Sequence, residues 1–369
     1  MKVLHVIDKS FLGGGQNSVR YLLEGFRGSD VSTLLSCRDG GPLVAAARDL
    51  GTPVHTIPFD KRFRPGPARA LAALIRRERV DLVHAHGLVA ATWATMARSF
   101  FGISAPLIYH QHGFHHHNYG PLSVGLRKAA ERAVARRADR VVAASTVDRG
   151  RLVAGKYAEP QRIVMIHDTI PEPAPSPQDV EAARQAAALP PGAPVIGIVA
   201  RLHPQKGVDV FLEAAAAVRA EFPSAAFVVI GEGELGSELR KTERRLGLEG
   251  AIRWLGGRPN LPFLPLFTVA AIPSRWEGIP LVLLEYMAIG LPIVATRIDG
   301  LADAVGPDEA ELVPKDDAPA LGEAILRLLR DPDLARRRGA AARRRFAATF
   351  SLASTVRRLR ELYDEVLRG

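Results

Sequence analysis

The sequence predicts an α/β protein of two domains, each built on a doubly wound parallel sheet. Three observations lead to this fold class. Apolar runs of strand length alternate with Ala-, Leu- and Arg-rich segments of helical spacing. The proline-rich stretch PEPAPSPQ (171–178) interrupts the alternation, which then starts again. The length of 369 residues also exceeds the ~250–300 residues at which a single core stops growing.

The expected elements follow the chain, with a helix after most strands. The strands of the first domain are KVLHVI (2–7), VSTLLS (31–36), VHTIPF (54–59), DLVHAH (81–86), PLIYH (106–110), RVVAAS (140–145) and RIVMIH (162–167). Those of the second are PVIGIVAR (194–201), AAFVVIGEG (225–233), AIRWLG (251–256), VAAIPS (269–274) and LPIVAT (291–296). The chain is helical from about residue 316, and its last segment, 354–367, is amphipathic.

These elements define the expected domain boundaries. The first domain covers 1–170, a proline-rich linker covers 171–193 and the second domain covers 194–350, while the helix at 354–369 packs back on the first domain. Doubly wound domains bind ligands at the carboxyl ends of their strands. We therefore expect the two domains to face each other across a cleft that holds the functional site.

Composition excludes several classes of protein. Cys37 is the only cysteine, so an intramolecular disulfide and a cysteine-rich metal centre are excluded. The N-terminus reads as a strand rather than a secretion signal, and the most apolar region (281–296) is too short to span a membrane. These features favour a cytoplasmic protein.

The net positive charge of the chain comes entirely from its first half. Residues 1–170 hold 24 Lys and Arg against 13 Asp and Glu, and residues 171–369 hold 25 against 26. This asymmetry predicts an anionic acceptor or peripheral contact with an anionic membrane, unless it is only a solvated Arg-rich surface. Nucleic acid is not an expected partner, because the Arg residues are dispersed and no aromatic stacking platform accompanies them.

Two cations and two carboxylates mark the second half of the chain. In GIVARLHPQKG (197–207), Arg201 and Lys206 follow a strand and lie close to the next helix N-terminus, an arrangement that suits a diphosphate. Gly231 lies at another strand end, where a missing side chain lets a ligand approach the backbone. In EGIPLVLLE, Glu277 precedes a turn, and Glu285 lies on an apolar helix whose burial requires a partner for the carboxylate.

These motifs resemble those of the family 4 retaining glycosyltransferases, which have the GT-B fold of two Rossmann-like domains. The resemblance rests on ARLHPQKG, GEGEL (231–235) and above all EGIPLVLLE, and it covers nearly the whole chain. KVLHVIDKSFLGGGQ resembles the family's first strand and glycine-rich loop, and IYHQHG resembles its strand that ends in His-Gly.

The resemblance implies a role for each matching position. Arg201 and Lys206 would neutralise the donor diphosphate, Glu277 would face the hydroxyls of the transferred sugar, and Glu285 would accept hydrogen bonds from the ribose. Backbone amides at Gly278, Ile279 and Leu281 would support phosphate and sugar, and Gly14 and Gly15 would let the first domain approach the diphosphate. Arg258 would lie near the base.

Histidines raise the question of a metal. The stretch HQHGFHHHNYG (110–120) contains five of the chain's eleven histidines. The resemblance assigns His112 to the acceptor and the reacting sugar. A zinc site on His110 and His112 is disfavoured, because the neighbouring histidines diverge and no Cys, Asp or Glu lies between Ala105 and Arg127. His84 and His86 are expected either to line the cleft or to lie in the core.

One departure from the family pattern concerns the end of the first domain. Many relatives have an Asn-Gly pair there, whereas this chain reads IHDTI (166–170). The pattern leaves open whether His167 and Asp168 contact a ligand or rebuild the hinge.

The expected function is retaining transfer of a sugar from a UDP-, GDP- or ADP-linked donor to a sugar, lipid-linked or small-molecule acceptor. The pathway would be biosynthesis of cell-surface glycan, glycolipid or secondary metabolite. No cofactor or metal is expected, because no Asp-x-Asp motif follows a strand.

Two alternatives remain open: a non-hydrolysing sugar-nucleotide epimerase of the same architecture, and a non-catalytic sugar-nucleotide-binding protein. A nicotinamide-dependent oxidoreductase is disfavoured, because Ser18 stands where the dinucleotide fingerprint has its third glycine.

Overall fold

The computed structural model describes residues 1–11, 14–59, 65–113 and 121–369, and the side chains of residues 121 and 122 are not part of the description. The described chain forms two compact units. The first comprises Met1–Pro171 and Ser351–Gly369, and the second comprises Glu172–Phe350. Each unit contains one parallel sheet with helices between its strands.

The first unit has seven parallel strands in the order β3-β2-β1-β4-β5-β6-β7. They are β1 (Lys2–Ile7), β2 (Ser32–Cys37), β3 (Val54–Thr56), β4 (Leu82–His86), β5 (Leu107–Gln111), β6 (Arg140–Ala143) and β7 (Ile163–Met165). Its helices are α1 (Gly14–Gly25), α2 (Pro42–Asp49), α3 (Gly66–Glu78), α4 (Gly87–Phe101), α5 (Pro121–Arg137) and α6 (Thr146–Ala154). Strands β4 and β5 are buried along their whole length, as expected for a parallel sheet covered on both faces.

The second unit has six parallel strands in the order β10-β9-β8-β11-β12-β13. They are β8 (Val195–Val199), β9 (Ala226–Ile230), β10 (Ile252–Gly256), β11 (Val269–Ile272), β12 (Ile293–Thr296) and β13 (Ala310–Val313). Its helices are α7 (Pro177–Ala186), α8 (Val208–Glu221), α9 (Gly236–Arg245), α10 (Leu281–Ile289), α11 (Asp299–Ala304), α12 (Ala318–Arg330) and α13 (Pro332–Arg345). The sequence prediction missed β13, a four-residue strand with a charged residue inside it.

The last helix, α14 (Leu352–Arg368), belongs to the first unit and packs against α1. The contact is close at Gly25, where an added Cβ would lie 2.6 Å from Val356 Cγ2. The apolar face of α14 joins a core cluster with Val3 of β1 and Ile108 of β5. The final helix therefore covers the middle of the first sheet.

The stretch 171–193, predicted to be a linker, contains the helix α7, and from Glu172 onward it belongs to the second unit. Ser176 caps this helix by accepting a hydrogen bond from the Asp179 N–H, and Pro177 occupies the first turn. Proline at that position costs no hydrogen bond, because the first amides of a helix have no intrahelical partner. The prolines therefore start a helix here.

Strands β8 and β11 are two residues shorter than predicted at their carboxyl ends. Strand β8 ends at Val199 and β11 ends at Ile272, so Arg201 and Glu277 both lie on loops that follow strands. Within the described residues, no helix is both long and apolar enough to cross a lipid bilayer.

Candidate active site

Two adjacent strand ends build the candidate site of the second unit. Strands β8 and β11 are hydrogen-bonded neighbours, so the loops that follow them leave the same edge of the sheet. The loop after β8 forms a 3-10 turn at Pro204–Lys206 before α8. The loop after β11 carries Ser274–Pro280 and leads into α10. This is the edge at which doubly wound sheets bind ligands.

Lys206 and Glu277 form an ion pair between these two loops. Both side chains are largely buried, with 16% and 9% of their surfaces exposed. Glu277 also accepts hydrogen bonds from Gln205 Nε2 at 3.2 Å and from Ser274 Oγ at 3.2 Å. A buried charge must be paired and hydrogen-bonded to be tolerated, and this carboxylate satisfies both conditions.

Arg275 fixes the geometry of the two loops. Its guanidinium contacts both carboxylate oxygens of Asp209, at 3.0 and 2.7 Å, and Oδ1 of Asp316 at 2.6 Å. It also donates to the Pro204 carbonyl at 2.6 Å. The planar fork of arginine suits such bidentate contacts, so Arg275 ties the start of α8 to the loop that carries Glu277.

Glycines bring the backbone of this edge together. Gly207 has a φ of 63°, and a Cβ there would lie 2.0 Å from the Pro273 carbonyl oxygen. Gly231 has a φ of 140°, and its Cβ would lie 1.9 Å from the Ala200 carbonyl oxygen. Both positions therefore exclude any side chain, for conformational as well as steric reasons.

Glu285 lies on α10, a helix that is apolar on all sides. Asn260 donates a hydrogen bond to Glu285 Oε2 at 2.5 Å, so the expected partner of the carboxylate is an amide. Burial raises the pKa of Glu285 from 4.5 to about 7, and the hydrogen bond from Asn260 only partly opposes it. The next residue, Tyr286, accepts a hydrogen bond from the Val199 N–H at 3.0 Å and so joins α10 to the end of β8.

The first turn of α10 supplies backbone amides beside these carboxylates. Pro280 is the N-cap residue and has extended backbone angles, and the helix begins at Leu281. Gly278 is exposed, while Ile279 and Leu281 are half-buried. The leading amides of a helix lack intrahelical acceptors and favour anions, so they are available to a phosphate.

The predicted arginines occupy the periphery of this edge. Arg201 is exposed, and its Nη2 lies 3.4 Å from Gln205 Oε1, which connects it to the partner of Glu277. Arg258 is also exposed, donates to the Leu255 carbonyl and lies over the Phe263 ring at 5.9 Å. The second unit therefore brings Arg201, Lys206 and Glu277 together, whereas Arg258 has only contacts near its own loop.

The first unit carries His112, which directly follows β5, precedes Gly113 and lies beside the start of α1. A Cβ at Gly15 would lie 3.7 Å from the His112 ring, whereas Gly14 is open on all sides within 4 Å. Both ring nitrogens of His112 have partners inside the unit: Asp168 Oδ1 lies 3.2 Å from Nδ1, and His86 Nδ1 lies 3.0 Å from Nε2. The predicted loop histidines His115–His117 lie outside the described residues.

Asp168 and His86 are the partners that sequence reasoning did not identify. Asp168 also accepts a hydrogen bond from Ser18 Oγ at 2.6 Å. Burial alone would raise the pKa of Asp168, but its interactions with His112 and His110 and the hydrogen bond from Ser18 lower it overall. His84 and His86 are fully buried, which decides for the core and against an exposed strand-end pair.

Comparisons with known proteins identify relatives of both halves of the chain. Residues 179–345 match the family model of glycosyl transferases group 1, and residues 12–171 match that of glycosyltransferase family 4. The D-inositol 3-phosphate glycosyltransferase of Mycobacterium avium is 30% identical over 304 residues, which cover 78% of this chain and 70% of that protein. The UDP-Gal:alpha-D-GlcNAc-diphosphoundecaprenol alpha-1,3-galactosyltransferase of Escherichia coli is 27% identical over 314 residues, which cover 81% and 80%.

Solved structures share the fold. Anabaena Alr3699/HepE in complex with UDP superposes with a TM-score of 0.86 at 20% identity and covers 99% of this chain and 100% of its own. A glycosyltransferase from Rickettsia africae superposes with a TM-score of 0.85 at 20% identity, covering 100% and 99%. At this identity the likeness concerns the two-unit α/β architecture.

Proposed function

The chain belongs to glycosyltransferase family 4, and on this premise we propose that it is a retaining enzyme that works without a metal ion. It is a GT-B glycosyltransferase that moves a sugar from a nucleotide sugar to an acceptor. The observation that supports the finer proposal best is the buried Lys206–Glu277 pair at the ends of β8 and β11. In this pair, Lys206 is the cation that would bind the leaving diphosphate, and Glu277 is the carboxylate that would bind the sugar hydroxyls.

The proposed leaving-group chemistry is electrostatic. As the bond between sugar and diphosphate breaks, negative charge grows on the phosphate, and Lys206, Arg201 and the leading amides of α10 stabilise it. Preorganised groups of this kind are typically worth several kcal/mol of barrier, about 3–4 for one strong donor. Donor binding replaces Glu277 by phosphate as the main partner of Lys206, which frees Glu277 to accept hydrogen bonds from the sugar.

We propose a uridine diphosphate donor. Two relatives support it, because the Anabaena structure contains UDP and the Escherichia coli enzyme is named for UDP-Gal. Glu285 would accept hydrogen bonds from the ribose hydroxyls. Arg258 and the nearby Phe263 would lie beside the base. The glycines at 231 and 207 keep side chains away from the diphosphate.

The acceptor is proposed to carry phosphate. The first half of the chain holds the whole excess of positive charge, which favours an anionic partner. The Mycobacterium avium relative is named for inositol 3-phosphate and the Escherichia coli relative for a diphosphoundecaprenol, so both names include phosphate. His112 would contribute to acceptor recognition in the first unit. A cytoplasmic location with contact to the inner membrane face follows if the acceptor is lipid-linked.

The donor class is tested by calorimetry with UDP, GDP and ADP. UDP is expected to bind the wild type, and the Lys206→Ala and Glu285→Gln variants are expected to bind it at least tenfold more weakly. Lys241→Ala is a matched control, because it removes an exposed cation of α9 that belongs to the same unit. Equal loss in the control would mean that net charge, and not the site, determines binding.

Transfer and its stereochemistry need a second assay. Incubation with UDP-glucose and a phosphorylated acceptor should give a product whose anomeric configuration, read by NMR coupling constants, equals that of the donor. Glu277→Gln should lose most of the turnover. Epimerised nucleotide sugar in the absence of any acceptor would instead support the epimerase alternative, and full activity of Glu277→Gln would contradict the assigned role.

A further inference from the structure

Five histidines of the first unit, four of them buried and His112 half-buried, form a cluster that we call the histidine stack: His5, His84, His86, His110 and His112. His5 lies on β1, His84 and His86 lie on β4, and His110 lies on β5, with His112 directly after it; these three strands are neighbours in the sheet. The parallel register pairs His5 with His84 and His86 with His110. Successive rings stack, with 4.3 Å between the centroids of His84 and His86 and 4.1 Å between those of His110 and His112.

Two hydrogen-bonded chains run through the stack. In the first, His5 Nδ1 lies 3.0 Å from His86 Nε2, His86 Nδ1 lies 3.0 Å from His112 Nε2, and His112 Nδ1 reaches Asp168. In the second, His110 Nδ1 lies 3.2 Å from His84 Nε2, and His84 Nδ1 lies 2.7 Å from the Tyr363 hydroxyl of α14. Only the first chain ends on a charged group.

That charged end fixes the direction of the first chain. A carboxylate only accepts hydrogen bonds, so His112 must donate its Nδ1–H to Asp168. A neutral His112 then has a bare lone pair on Nε2, and His86 must donate to it from Nδ1. Burial lowers the pKa of His86 well below its ordinary value and lowers that of His5 to about 3. Both rings are therefore neutral, and each carries one proton on one of its two nitrogens.

The proton positions of His86 and His5, at the other end of this hydrogen-bonded chain, follow in the same way. Since His86 has its proton on Nδ1, its Nε2 accepts from the Nδ1–H of His5. His5 Nε2 is then left as a bare acceptor, and this atom is buried without a hydrogen-bond partner among the described residues. All three rings consequently adopt the Nδ1–H tautomer, because the first ring in the chain meets a carboxylate.

We propose that Asp168 and His86 are positioning residues that hold His112 with its proton on Nδ1 and its Nε2 as a hydrogen-bond acceptor. Under the proposed function, on which this consequence rests, the neutral form of His112 recognises a hydroxyl that donates to it and cannot itself donate to an oxygen of the substrate. That hydroxyl would take the place of the His86 N–H. Within IHDTI (166–170), where the chain departs from the family's Asn-Gly pair, Asp168 thus supplies a full charge next to His112.

A metal ion is the competing occupant of the stack. His86, His110 and His112 each offer one ligand atom, and these atoms lie within 4.8 Å of one another. Zinc requires the lone pairs of its ligands to converge on one point about 2.0–2.1 Å from each nitrogen. The His110 and His112 rings are stacked and nearly parallel, with 16° between their planes. The nitrogen lone pairs lie in these two separate planes and therefore do not converge on one point. The observed geometry therefore favours the hydrogen-bonded chain.

The tautomers can be read directly by ¹⁵N NMR of the histidine ring nitrogens in the full-length protein at about pH 8, without any substrate. The wild type should show His112 protonated on Nδ1. Asp168→Asn should keep this signature, because the amide oxygen still accepts, whereas Asp168→Ala should lose it. Tyr363→Phe, which alters only the second chain, is the control and should leave the His112 signals unchanged.

Three outcomes would overturn the inference. One is a wild-type His112 proton on Nε2, and another is an Asp168→Ala spectrum identical to that of the wild type. The third is about one zinc ion per purified chain by mass spectrometry. If Asp168→Ala does not fold, His86→Leu still decides the question, because its His112 proton should stay on Nδ1 and a move to Nε2 would contradict the role of Asp168.

The inference and the proposed function fail separately. UDP binding measured by calorimetry concerns residues of the second unit, and it should be unchanged in Asp168→Asn. A wild type that binds no nucleotide would refute the donor proposal and leave the tautomer result intact. A wrong tautomer in a protein that binds UDP would refute the role of Asp168 alone.

Discussion

Replacing Glu285 by glutamine should make the second unit more stable at alkaline pH while weakening donor binding. The carboxyl is held on an apolar helix, where burial raises its pKa from 4.5 to about 7. Between these two values the folded state binds a proton that the unfolded state releases. The wild type therefore loses stability as the pH rises from about 4.5 to about 7, and the loss is complete above that range.

The size of the effect follows from the shift in pKa. One pKa unit corresponds to about 1.4 kcal/mol, so raising the pKa from 4.5 to about 7 gives a full penalty of about 3.5 kcal/mol at high pH. At pH 5.5 part of this penalty is already present, and the difference between pH 5.5 and pH 8.5 is about 2 kcal/mol. Glutamine has no proton to release and its amide oxygen can still accept from Asn260, so the variant escapes the penalty.

Urea unfolding at the two pH values measures this difference. The chain has three tryptophans, of which Trp93 lies in the first unit and Trp254 and Trp276 lie in the second. In a Trp93→Phe background, tryptophan fluorescence consequently reports the second unit alone. The gain in unfolding free energy of Glu285→Gln should be about 2 kcal/mol larger at pH 8.5 than at pH 5.5.

The control is Glu238→Gln, which changes an exposed carboxylate of α9 in the same unit. It should give equal changes at both pH values. An equal change for Glu285→Gln as well would refute the reasoning, because it would mean that the Glu285 carboxyl is as well solvated in the folded state as in the unfolded state.

Further predictions concern the same edge of the second sheet. The affinity for UDP-glucose should fall as the pH drops below about 7, because the ribose needs an ionised Glu285, and calorimetry of Glu285→Gln should show no such fall. Gly231→Ala should destabilise the second unit by more than about 2 kcal/mol in urea, whereas Gly236→Ala, whose Cβ would meet only a side-chain methyl at 3.5 Å, should be tolerated. Arg275→Lys should weaken UDP binding about tenfold in calorimetry, since a single ammonium cannot replace bidentate contacts worth roughly 1.4 kcal/mol or more, and unchanged affinity would argue against its tie between the loops. Transfer should survive EDTA, and abolition that added Mg²⁺ reverses would contradict metal independence.

The sequence predicted the residues whose signal is local. Arg201 and Lys206 follow one strand, and Glu277 and Glu285 stand on either side of a helix start, so their neighbourhood could be deduced from strand ends and spacing alone. Their hydrogen-bond partners are different in kind. Asn260 reaches Glu285 from 25 positions earlier, and Asp168 reaches His112 from 56 positions later. Only the folded chain reveals these contacts.

The histidines illustrate the same limit. The cluster in 110–117 is dense in the sequence, and its members among the described residues, His110 and His112, belong to the stack. The other members are His5, His84 and His86, which alternate with apolar residues in strands and look like ordinary core positions. The order β1-β4-β5 brings them together, and no spacing along the chain encodes that order.

The position of α14 has a consequence for how the chain folds during synthesis. Strand β1 is made before the second unit, and the helix that covers it and closes the first core is made after the whole second unit. When residues 1–171 have emerged from the ribosome, the first sheet therefore still lacks one of the helices that cover it. We expect the core of the first unit to remain open until the seventeen-residue helix α14 has been made and has docked, at a stage when the second unit can already have folded.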